Sequence, residues 1–476
     1  MLRITIGYRR CHCNVTQLSY RSVFPETGDS IVPIAFVRRL ATLASATLLA
    51  LISALACAND LEIHGSNTIG ARLAPALVAG YLKQAGASNI AIKSTPVENE
   101  QRITGQLKGQ LFEARVEAHG SSTGFKGLME GSSQIAAASR PAKDKEVQLL
   151  AKRTDLRDRA SEHIIAIDGL AILVHPSNPI ETLQKDTLAK IFAGQISNWK
   201  QIGGPDRGIH VYARDERSGT WDTFHHLVLG KQYNLTPNAK RYESNDRLSD
   251  DVSQDPAGIG FTGLASVRNS KVLAIADGDS AALLPTRLNV ATEDYPLSRR
   301  LFLYSMGSDD SPVTRDFLEF VQGPKGQDIV QQTGYISQNI QAVEDDRGDS
   351  IPASLRTLTH DFQRLSVNFR FAEGRTHLDN KAHRDLARLK RFLDAHQASG
   401  SDLMLIGYAD KQANELRAQM ISELRALSVK KALRKEQGIN VSAYTGYGHY
   451  VPVAGSGGAE GASRNGRVEV WYRQTH

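Results

Sequence analysis

The sequence predicts an α/β fold in two parts, a large domain followed by a smaller β/α sandwich. Short apolar runs, such as IIAIDGLAILV at 164–174 and IHVYA at 209–213, alternate with helical patterns such as DTLAKIFAG at 186–194. This alternation is typical of sheets covered by helices. An acidic stretch with Gly, Pro and Ser and no apolar periodicity, at 341–356, interrupts it and is interpreted as an interdomain linker. The chain has 476 residues, more than one hydrophobic core normally serves.

The first element along the chain is an export signal. Residues 40–56 carry no charge, follow an arginine pair, and lead into Ala-Cys-Ala at 56–58 ahead of polar residues. The pattern predicts a signal peptide over 1–58 that is cleaved after Ala58. A membrane anchor, or a lipoprotein modified at Cys57, are the alternatives. All three cysteines lie in this leader, so the sequence predicts a mature chain without disulfides.

The net charge is unevenly distributed. It is +6 for the whole chain, and the leader holds six Lys/Arg and two Asp/Glu, which leaves +2 for residues 59–476. Residues 357–476 carry 18 basic and 12 acidic side chains, so residues 59–356 carry about −4. This balance argues against nucleic-acid binding through a basic surface of the large domain. Any anion site there has to be local.

The large domain, residues 59–340, contains three loops that share one pattern. Each follows a strand-like run and leads into a helix-like one, at Gly65–Thr68, Gly120–Gly124 and Arg217–Thr220. A helix N-terminus offers unpaired N–H groups to an anion, hydroxyls add donors, and glycine allows close approach. One such loop is more typical of an N-cap, but three predict an oxyanion site. Arg214 and Arg140 are candidates for the guanidinium that fits a tetrahedral anion.

Several segments, including GSNTI, HGSSTG, IAAASRP, IFAGQISNWKQIGG and RDERSGTWDTF, carry a family resemblance. Over nearly all of residues 60–340 the chain resembles the substrate-binding proteins of phosphate ABC transporters. The resemblance implies a two-lobed type II periplasmic binding protein, phosphate held between lobes that close about a hinge, and an inner-membrane ABC permease as partner. It implies that phosphate is bound by Asn67, Thr68 and Ile69, by a serine at Ser121 or Ser122, and by Arg214, Ser218, Gly219 and Thr220; Arg140 is a further candidate.

Arg140 is a departure from part of this family. Some members have an Asp there, whose carboxylate accepts the proton of hydrogen phosphate and so excludes sulfate. Arg140 would add positive charge instead, and Glu216 is the one nearby carboxylate that could replace the acceptor. Selectivity between phosphate, sulfate and related oxyanions therefore stays open at this point.

The smaller domain, residues 357–476, shows its elements in order. The sequence predicts strands at 366–371, 403–409 and 467–472 and helices at about 379–396 and 414–437, in one mixed sheet with helices on one face. The segments SVNFRFAEGRTHLD, LMLIGYAD, ISELRA, GYG and RVEV resemble the OmpA-like peptidoglycan-binding domain. The resemblance implies that Asp410 binds the ammonium and Arg425 the carboxylate of diaminopimelate. Around this pair the sequence departs from the family pattern at four positions: Ala409, Ala413, Ala418 and Gly466. Altered wall binding is therefore an alternative.

The sequence favours a binding protein of the periplasm, associated with the cell wall or outer membrane, over an enzyme. It predicts no cofactor and no nucleic-acid partner. It also predicts no metal site, since the adjacent His225 and His226 lack the i, i+4 spacing of helical metal ligands. Gly120-x-Ser122-x-Gly124 does match the nucleophile elbow of α/β-hydrolases, which makes a serine hydrolase or phosphatase one alternative. A structural or adhesive envelope protein with a vestigial ligand site is the other.

Overall fold

The computed structural model describes residues 60–216, 218–345, 347, 351–371, 377–456 and 459–474. The predicted signal peptide and Cys57 lie outside these residues. The described residues form one compact unit, in which the two predicted domains pack against each other.

The large domain is built on an eleven-stranded sheet and a separate pair of strands, β7 and β12. Its strands are β1 (Leu61–Gly65), β2 (Ser88–Ser94), β3 (Glu100–Leu107), β4 (Gln110–Glu117), β5 (Ile135–Ala138), β6 (Glu162–Val174), β7 (Thr182–Gln184), β8 (His210–Arg214), β9 (Lys240–Tyr242), β10 (Gly258–Gly263), β11 (Lys271–Val272), β12 (Ala274–Ala276) and β13 (Ser298–Tyr304). Its helices are α1 (Asn67–Gly70), α2 (Leu73–Gln84), α3 (Ser121–Glu130), α4 (Asp144–Leu150), α5 (Lys185–Phe192), α6 (Gly219–Phe224), α7 (Asn245–Gln254), α8 (Arg287–Ala291), α9 (Pro312–Gln322) and α10 (Pro324–Gln332).

Strand β6 links two lobes. Its residues 162–169 pair with β13 in the first lobe, where the strand order is β2-β3-β4-β1-β5-β13. Its residues 170–174 pair with β10 in the second lobe, which continues through β8 and β9. Asp168 and Arg299 are cross-strand partners close to the point where β6 passes from the first lobe to the second. The predicted two-lobed α/β fold is confirmed, with β6 and the start of β13 crossing between the lobes.

Helices cover both faces of this sheet, as its apolar strands require. Every residue of β6 from Ile164 to Val174 is buried, which is typical of a strand covered on both sides. In the first lobe, Leu77 of α2 and Phe317 of α9 belong to the same buried cluster as β1. In the second lobe, the rings of Phe224 and Phe261 stack with their centroids 3.9 Å apart. These two cores hold the loops at the strand ends in place.

The smaller domain has a five-stranded sheet in the order β14-β15-β18-β16-β17. Its elements are β14 (Ala342–Val343), α11 (Ala353–Thr359), β15 (Gln363–Arg370), α12 (Asn380–Ala395), β16 (Leu403–Gly407), α13 (Glu415–Gln437), β17 (Ala443–Gly446), α14 (Ala459–Asn465) and β18 (Arg467–Tyr472). Only β16 and β17 pair in parallel, so the sheet is mixed, as predicted. Although α13 has 23 residues, neither it nor any other described helix is apolar enough to cross a bilayer.

The prediction of helices on one face only is wrong for this sheet. Helices α12 and α13 cover one face, and α11 packs on the other through Leu355. The cause is the pleat: Met404, Ile406 and Trp471 point to the second face, are buried, and need a cover. The predicted linker, 341–356, contains β14 and the first residues of α11, with 346 and 348–350 outside the described residues. Ala342 of β14 pairs with Leu365 of β15.

A buried charge cluster joins the two domains. The Asp294 carboxylate, just after α8, accepts hydrogen bonds from Arg364 Nη2 at 2.5 Å, Asn368 Nδ2 at 2.9 Å and Arg370 Nη2 at 3.1 Å. Arg464 donates to the main-chain oxygens of Pro296 at 2.6 Å and of residue 293 at 3.1 Å. These oxygens lie in the segment after α8, and Arg464 supplies the hydrogen-bond donors that buried backbone oxygens need. Side chains of the smaller domain therefore donate hydrogen bonds both to backbone oxygens and to a carboxylate of the large domain.

Candidate functional site

The three loops predicted to bind an oxyanion lie where the sequence places them. Each follows a strand and opens a helix: β1 leads to α1, β4 to α3, and β8 to α6. The helices begin at Asn67, Ser121 and Gly219. The first two loops belong to the first lobe and the third to the second lobe. The predicted strand–loop–helix pattern is confirmed at all three positions.

Backbone hydrogen bonds fix the two loops of the first lobe side by side. The Ser66 N–H donates to the Ala137 carbonyl at 2.8 Å, and the Gly120 N–H donates to the Gly65 carbonyl at 2.7 Å. A Cβ at Gly65 would lie 2.1 Å from the Ala137 oxygen, and its φ is +135°. Only glycine fits such an approach.

The loop of the second lobe closes onto this pair. The Thr68 and Thr220 hydroxyl oxygens are 3.5 Å apart across the cleft. A Cβ at Gly219 would lie 2.1 Å from Ser139 Oγ and 3.6 Å from Ser121 Oγ. Hydroxyl groups from both lobes thus meet in one place, next to the backbone of Gly219, which has no side chain.

Some polar atoms in these loops have partners, and others do not. Ser121 Oγ accepts from the Ser139 N–H at 3.2 Å. Ser218 Oγ caps α6 and accepts from the Thr220 N–H at 3.2 Å, so the N-cap role is also present. The buried Ser66 Oγ and Asn67 Oδ1 have no hydrogen-bond partner within the described residues. Buried polar groups are normally paired, so a ligand or water is expected near them.

Arg214 lies beside the cleft with most of its surface buried. Its Nε donates to the Tyr242 carbonyl at 3.0 Å, Nη2 to the carbonyl of residue 243 at 2.5 Å, and Nη1 to Asn245 Oδ1. Since arginine has five N–H groups, these three hydrogen bonds leave two without a partner among the described residues. Burial lowers the pKa of Arg214 to about 10, and Arg299 acts in the same direction. The side chain stays a cation near neutral pH.

A cavity of about 730 Å³ beside Arg214 reaches the first loop through Asn67 and Thr68, and its lining includes neither Ser121 nor Thr220 of the other two loops. Among the described residues, five cations and three carboxylates line it: Arg72, Arg214, Lys240, Arg241, Arg247, Glu98, Glu243 and Asp246. The charge around the cavity is therefore positive, although the domain as a whole is acidic. This agrees with the expectation that any attraction for an anion is local.

Arg140 does not offer the free guanidinium that the sequence suggests. Its Nη1 and Nη2 each donate to Glu146 at 2.8 Å, and Nη2 also donates to Ser122 Oγ at 3.1 Å. Glu146 therefore offsets much of its charge. Glu216 is not the replacement proton acceptor, because its carboxylate is exposed and pairs with Arg241 at 3.3 Å.

Sequence reasoning missed a buried ion pair behind Thr220. Arg299 Nη2 and Nε donate to Asp168 Oδ2 at 2.6 and 2.9 Å. The same guanidinium donates to Thr220 Oγ1 at 3.2 Å and to the Gly219 carbonyl at 3.1 Å. One signal was available: Asp168 interrupts an otherwise apolar strand, and a buried charge in such a strand needs a partner. Tyr335, which donates to the Thr68 carbonyl at 2.6 Å, carried no signal of this kind.

The pair predicted to bind the wall peptide lies at one end of the second sheet. Asp410 is nearly buried, and its Oδ1 accepts from Asn465 Nδ2 at 2.8 Å. Arg425 Nη1 donates to the Tyr408 carbonyl at 3.0 Å, and its guanidinium lies 5.5 Å from the centre of the Phe371 ring. Burial lowers the pKa of Arg425, and the charge of Asp410 opposes that change. The two opposite charges are thus close enough to interact.

Gly466 explains one departure from the OmpA-like pattern. A Cβ at this position would lie 2.5–2.6 Å from three atoms of the Arg425 guanidinium. Here the guanidinium occupies the space that a side chain at 466 would need. The position of the Arg425 guanidinium therefore depends on a glycine at 466.

Two groups on or next to β1, β3 and β4 have residue types that bind metals: Glu62 with His64 and Glu117, and Glu100 with Glu117 and His119. Arg115 already pairs with two of these carboxylates, Glu100 at 2.7 Å and Glu117 at 3.1 Å. We assign no metal role to them.

Comparison with known proteins identifies the family of the chain. A model described as the PBP superfamily domain matches residues 75–325, which is 251 of the 476 residues. The chain belongs to the PBP superfamily. A second model, the OmpA family, matches residues 370–466, so this PBP-superfamily chain also carries a C-terminal OmpA domain.

Curated relatives of this superfamily member align with its large domain. The phosphate-binding protein PstS of Borreliella burgdorferi is 31% identical over 228 residues, which cover 46% of this chain and 78% of PstS. Protein SphX of Synechococcus elongatus is 30% identical over 243 residues, which cover 48% and 71%. Among solved structures, an ABC-type phosphate transport receptor from Vibrio cholerae is 27% identical, with a TM-score of 0.45 and coverage of 58% and 99%.

Proposed function

We propose that this chain is an exported binding protein that holds inorganic phosphate, or a similar oxyanion, between its two lobes. The observation that carries the proposal is the meeting of three loops from both lobes, where the Thr68 and Thr220 hydroxyls are 3.5 Å apart. Membership in a superfamily whose relatives include phosphate-binding proteins supports phosphate as the ligand.

In this proposal the first lobe supplies Thr68 and Ser121 as hydroxyl donors, with Asn67 and Ile69 contributing backbone N–H groups. The second lobe supplies Gly219 and Thr220, and Ser218 holds the start of α6 in place by capping it. Helix starts and hydroxyls together stabilise an anion without a full counter-charge. The two remaining N–H groups of Arg214 would add the charged contact.

Arg140 and Ser122 have a supporting place in the proposal. Arg140 is held by Glu146 and donates to Ser122 Oγ, so its contribution is to orient that hydroxyl and to add a partly balanced positive charge. This arrangement also argues against catalysis. Within the described residues, the Ser122 hydroxyl has an arginine as its partner and not the His base that a serine hydrolase needs. We propose no reaction for this protein.

The second domain is proposed to hold the receptor at peptidoglycan without a covalent bond. Asp410 and Arg425 are opposite charges on a rigid frame, which suits the zwitterionic centre of diaminopimelate. The OmpA-family match supports this role. The protein would then lie in the periplasm, associated with the cell wall, and would deliver its ligand to an inner-membrane ABC permease. A purely structural or adhesive role is disfavoured because the three loops are assembled.

Two assays on residues 59–476 test the proposal. In the first, wild type should retain radiolabelled phosphate, and Gly219→Ala should retain much less, because the new Cβ would collide with Ser139 Oγ. Gly208→Ala is the matched control, since a Cβ there would meet only an ordinary contact at 3.8 Å. Equal retention by all three proteins would contradict the assigned site.

In the second assay, the same proteins are pelleted with purified peptidoglycan. Wild type should sediment, and Asp410→Ala and Arg425→Ala should stay in solution. Hydrolysis of a chromogenic ester or phosphate that is lost in Ser122→Ala would instead support an enzyme.

A further inference from the structure

Helix α13 of the smaller domain has two apolar faces. One face packs on the sheet through Ala418, Ala426, Val429 and Leu433, all of them buried. The other face presents three large apolar side chains at intervals of four residues: Leu416, Met420 and Leu424 are 70%, 57% and 51% exposed. Because side chains four residues apart lie on one side of a helix, the three form a continuous exposed stripe. The fold does not need this stripe.

Cations flank the stripe. At about 100° per residue, Arg434 falls in line with Leu416, Lys431 falls between Met420 and Leu424, and Arg417 and Lys435 border the same side. All four are exposed. On α12, Lys381 and Lys390 pair with carboxylates four residues further along. None of the four cations on α13 forms an ion pair within the described residues. Glu423 is the one acidic residue at the border of the stripe.

The charge pattern indicates the partner. An apolar stripe bordered by unpaired Lys and Arg is the composition with which helices lie on anionic lipid surfaces. The apolar side chains reach the acyl boundary, while the long cationic side chains extend to the phosphates. The net charge of +6 over residues 357–476 adds long-range attraction to such a surface.

We propose that the outer face of α13 docks on an anionic phospholipid bilayer, with Leu416, Met420 and Leu424 at the acyl boundary and Arg417, Lys431, Arg434 and Lys435 at the headgroups. The interaction is reversible and peripheral, because a single amphipathic face gives no permanent anchorage. Arg425 lies on the side of α13 turned towards Asp410. One helix would thus carry a wall-binding residue on one side and a lipid-binding surface on another. The proposal is independent of phosphate binding.

Sedimentation of residues 59–476 with vesicles tests the proposal. Vesicles of phosphatidylglycerol and phosphatidylcholine in equal amounts should pellet the wild type, and vesicles of phosphatidylcholine alone should not. The triple variant Leu416→Ser/Met420→Ser/Leu424→Ser should bind the anionic vesicles at least about tenfold more weakly. Lys431→Glu/Arg434→Glu should be weakened similarly, and about 0.5 M NaCl should weaken the wild type.

The matched control is Ile92→Ser/Val97→Ser/Leu111→Ser, which removes three exposed apolar side chains from the large domain. It should bind anionic vesicles like wild type. Equal binding by wild type and the α13 triple variant would overturn the proposal, as would equal binding of wild type to both kinds of vesicle. A concentration-dependent dimer, lost in the α13 variant and accompanied by no vesicle binding, would assign the stripe to a second copy of the chain. Circular dichroism and thermal unfolding establish that each variant is folded.

Discussion

Arg299 and Asp168 form a buried ion pair at the point where β6 passes from one lobe to the other. The Arg299 guanidinium also donates to the Thr220 hydroxyl and to the Gly219 carbonyl. One side chain therefore connects the crossing strands to the loop proposed to bind phosphate. We therefore expect the packing of the crossing strands and the geometry of that loop to depend on each other.

The first prediction concerns this pair. Arg299→Met leaves the Asp168 carboxylate buried without its cation, so the free energy of unfolding should fall by about 3–5 kcal/mol. Phosphate binding should weaken as well, because Thr220 and Gly219 lose their shared partner. Urea unfolding and a phosphate titration measure the two effects. In the double variant Arg299→Met/Asp168→Leu, stability should largely return while affinity stays low. Wild-type affinity in either variant would contradict the coupling.

The second prediction concerns selectivity. Glu146 and Asp168 are each engaged by an arginine, and Glu216 is exposed, so none of the three is placed to accept the proton of hydrogen phosphate. Of the carboxylates that line the cavity, Glu98 and Glu243 are also exposed, and Asp246 pairs with Arg268 at 3.7 Å. Sulfate should therefore compete with phosphate, with discrimination of less than about 100-fold. Displacement of radiolabelled phosphate by sulfate, with chloride at equal ionic strength as the control, measures this. Undiminished phosphate binding at about a thousandfold excess of sulfate would show that another acceptor exists.

Much of the fold was predictable because its signals are local. The apolar run of β6, the three strand–loop–helix units and the order of elements in the smaller domain all follow from periodicity and turn residues. The packing of α11 against the second face of the smaller domain's sheet was not predictable in this way. It depends on Met404, Ile406 and Trp471 needing burial on that face, which is a tertiary requirement.

The third prediction concerns the contact between the domains. Asp294→Ala removes the carboxylate shared by Arg364, Asn368 and Arg370, and leaves buried cations facing one another. The free energy of unfolding should fall by about 3–5 kcal/mol. Hydrogen exchange should rise in β15, where these three residues lie. Asp279→Ala, at an exposed position, is the control. Unchanged exchange in β15 would show that the domains pack without this cluster.

The fourth prediction concerns the wall site. Gly466→Ala places a Cβ about where the Arg425 guanidinium lies, so the side chain has to move and its hydrogen bond to the Tyr408 carbonyl is lost. Binding to purified peptidoglycan should weaken by about tenfold, which corresponds to about 1.4 kcal/mol. Arg391→Ala removes an exposed cation of α12 and should bind like wild type. Unaltered binding by Gly466→Ala would mean that Arg425 does not contact the wall peptide.

The fifth prediction concerns pH. His163 Nε2 donates to the Ala160 carbonyl at 3.0 Å, and Nδ1 faces Arg384 Nη2 at 3.5 Å. Burial, with a further contribution from Arg384, lowers the pKa of His163 from 6.5 to about 3. The unfolded chain binds this proton first, so stability is full above pH 6.5 and falls as the pH decreases towards 3. The loss reaches about 1.4 kcal/mol per pH unit.

Unfolding of wild type and His163→Gln at pH 7 and pH 5 tests this prediction. The wild type should lose more stability than the variant between the two conditions, because glutamine does not titrate. An equal loss in both proteins would assign the acid sensitivity to other groups.

The candidate site was predictable as a set of loops, and its connections were not. Ser, Thr and Gly at helix starts are visible in the sequence, as is the resemblance that aligns them. The partners that decide the charge state of the site are not marked by any pattern: Glu146 is near Arg140 in the sequence but begins a different element, and Arg299 reaches Asp168 from a distant strand. A single sequence gives the residue types at these positions, but not which ones meet.

Calorimetric titration of residues 59–476 with phosphate tests the central claim most directly. We expect one saturable site per chain in the wild type, and loss of most of the binding heat in Gly219→Ala but not in Gly208→Ala. No binding heat in the wild type, or the same heat in wild type and Gly219→Ala, would contradict phosphate binding between the lobes.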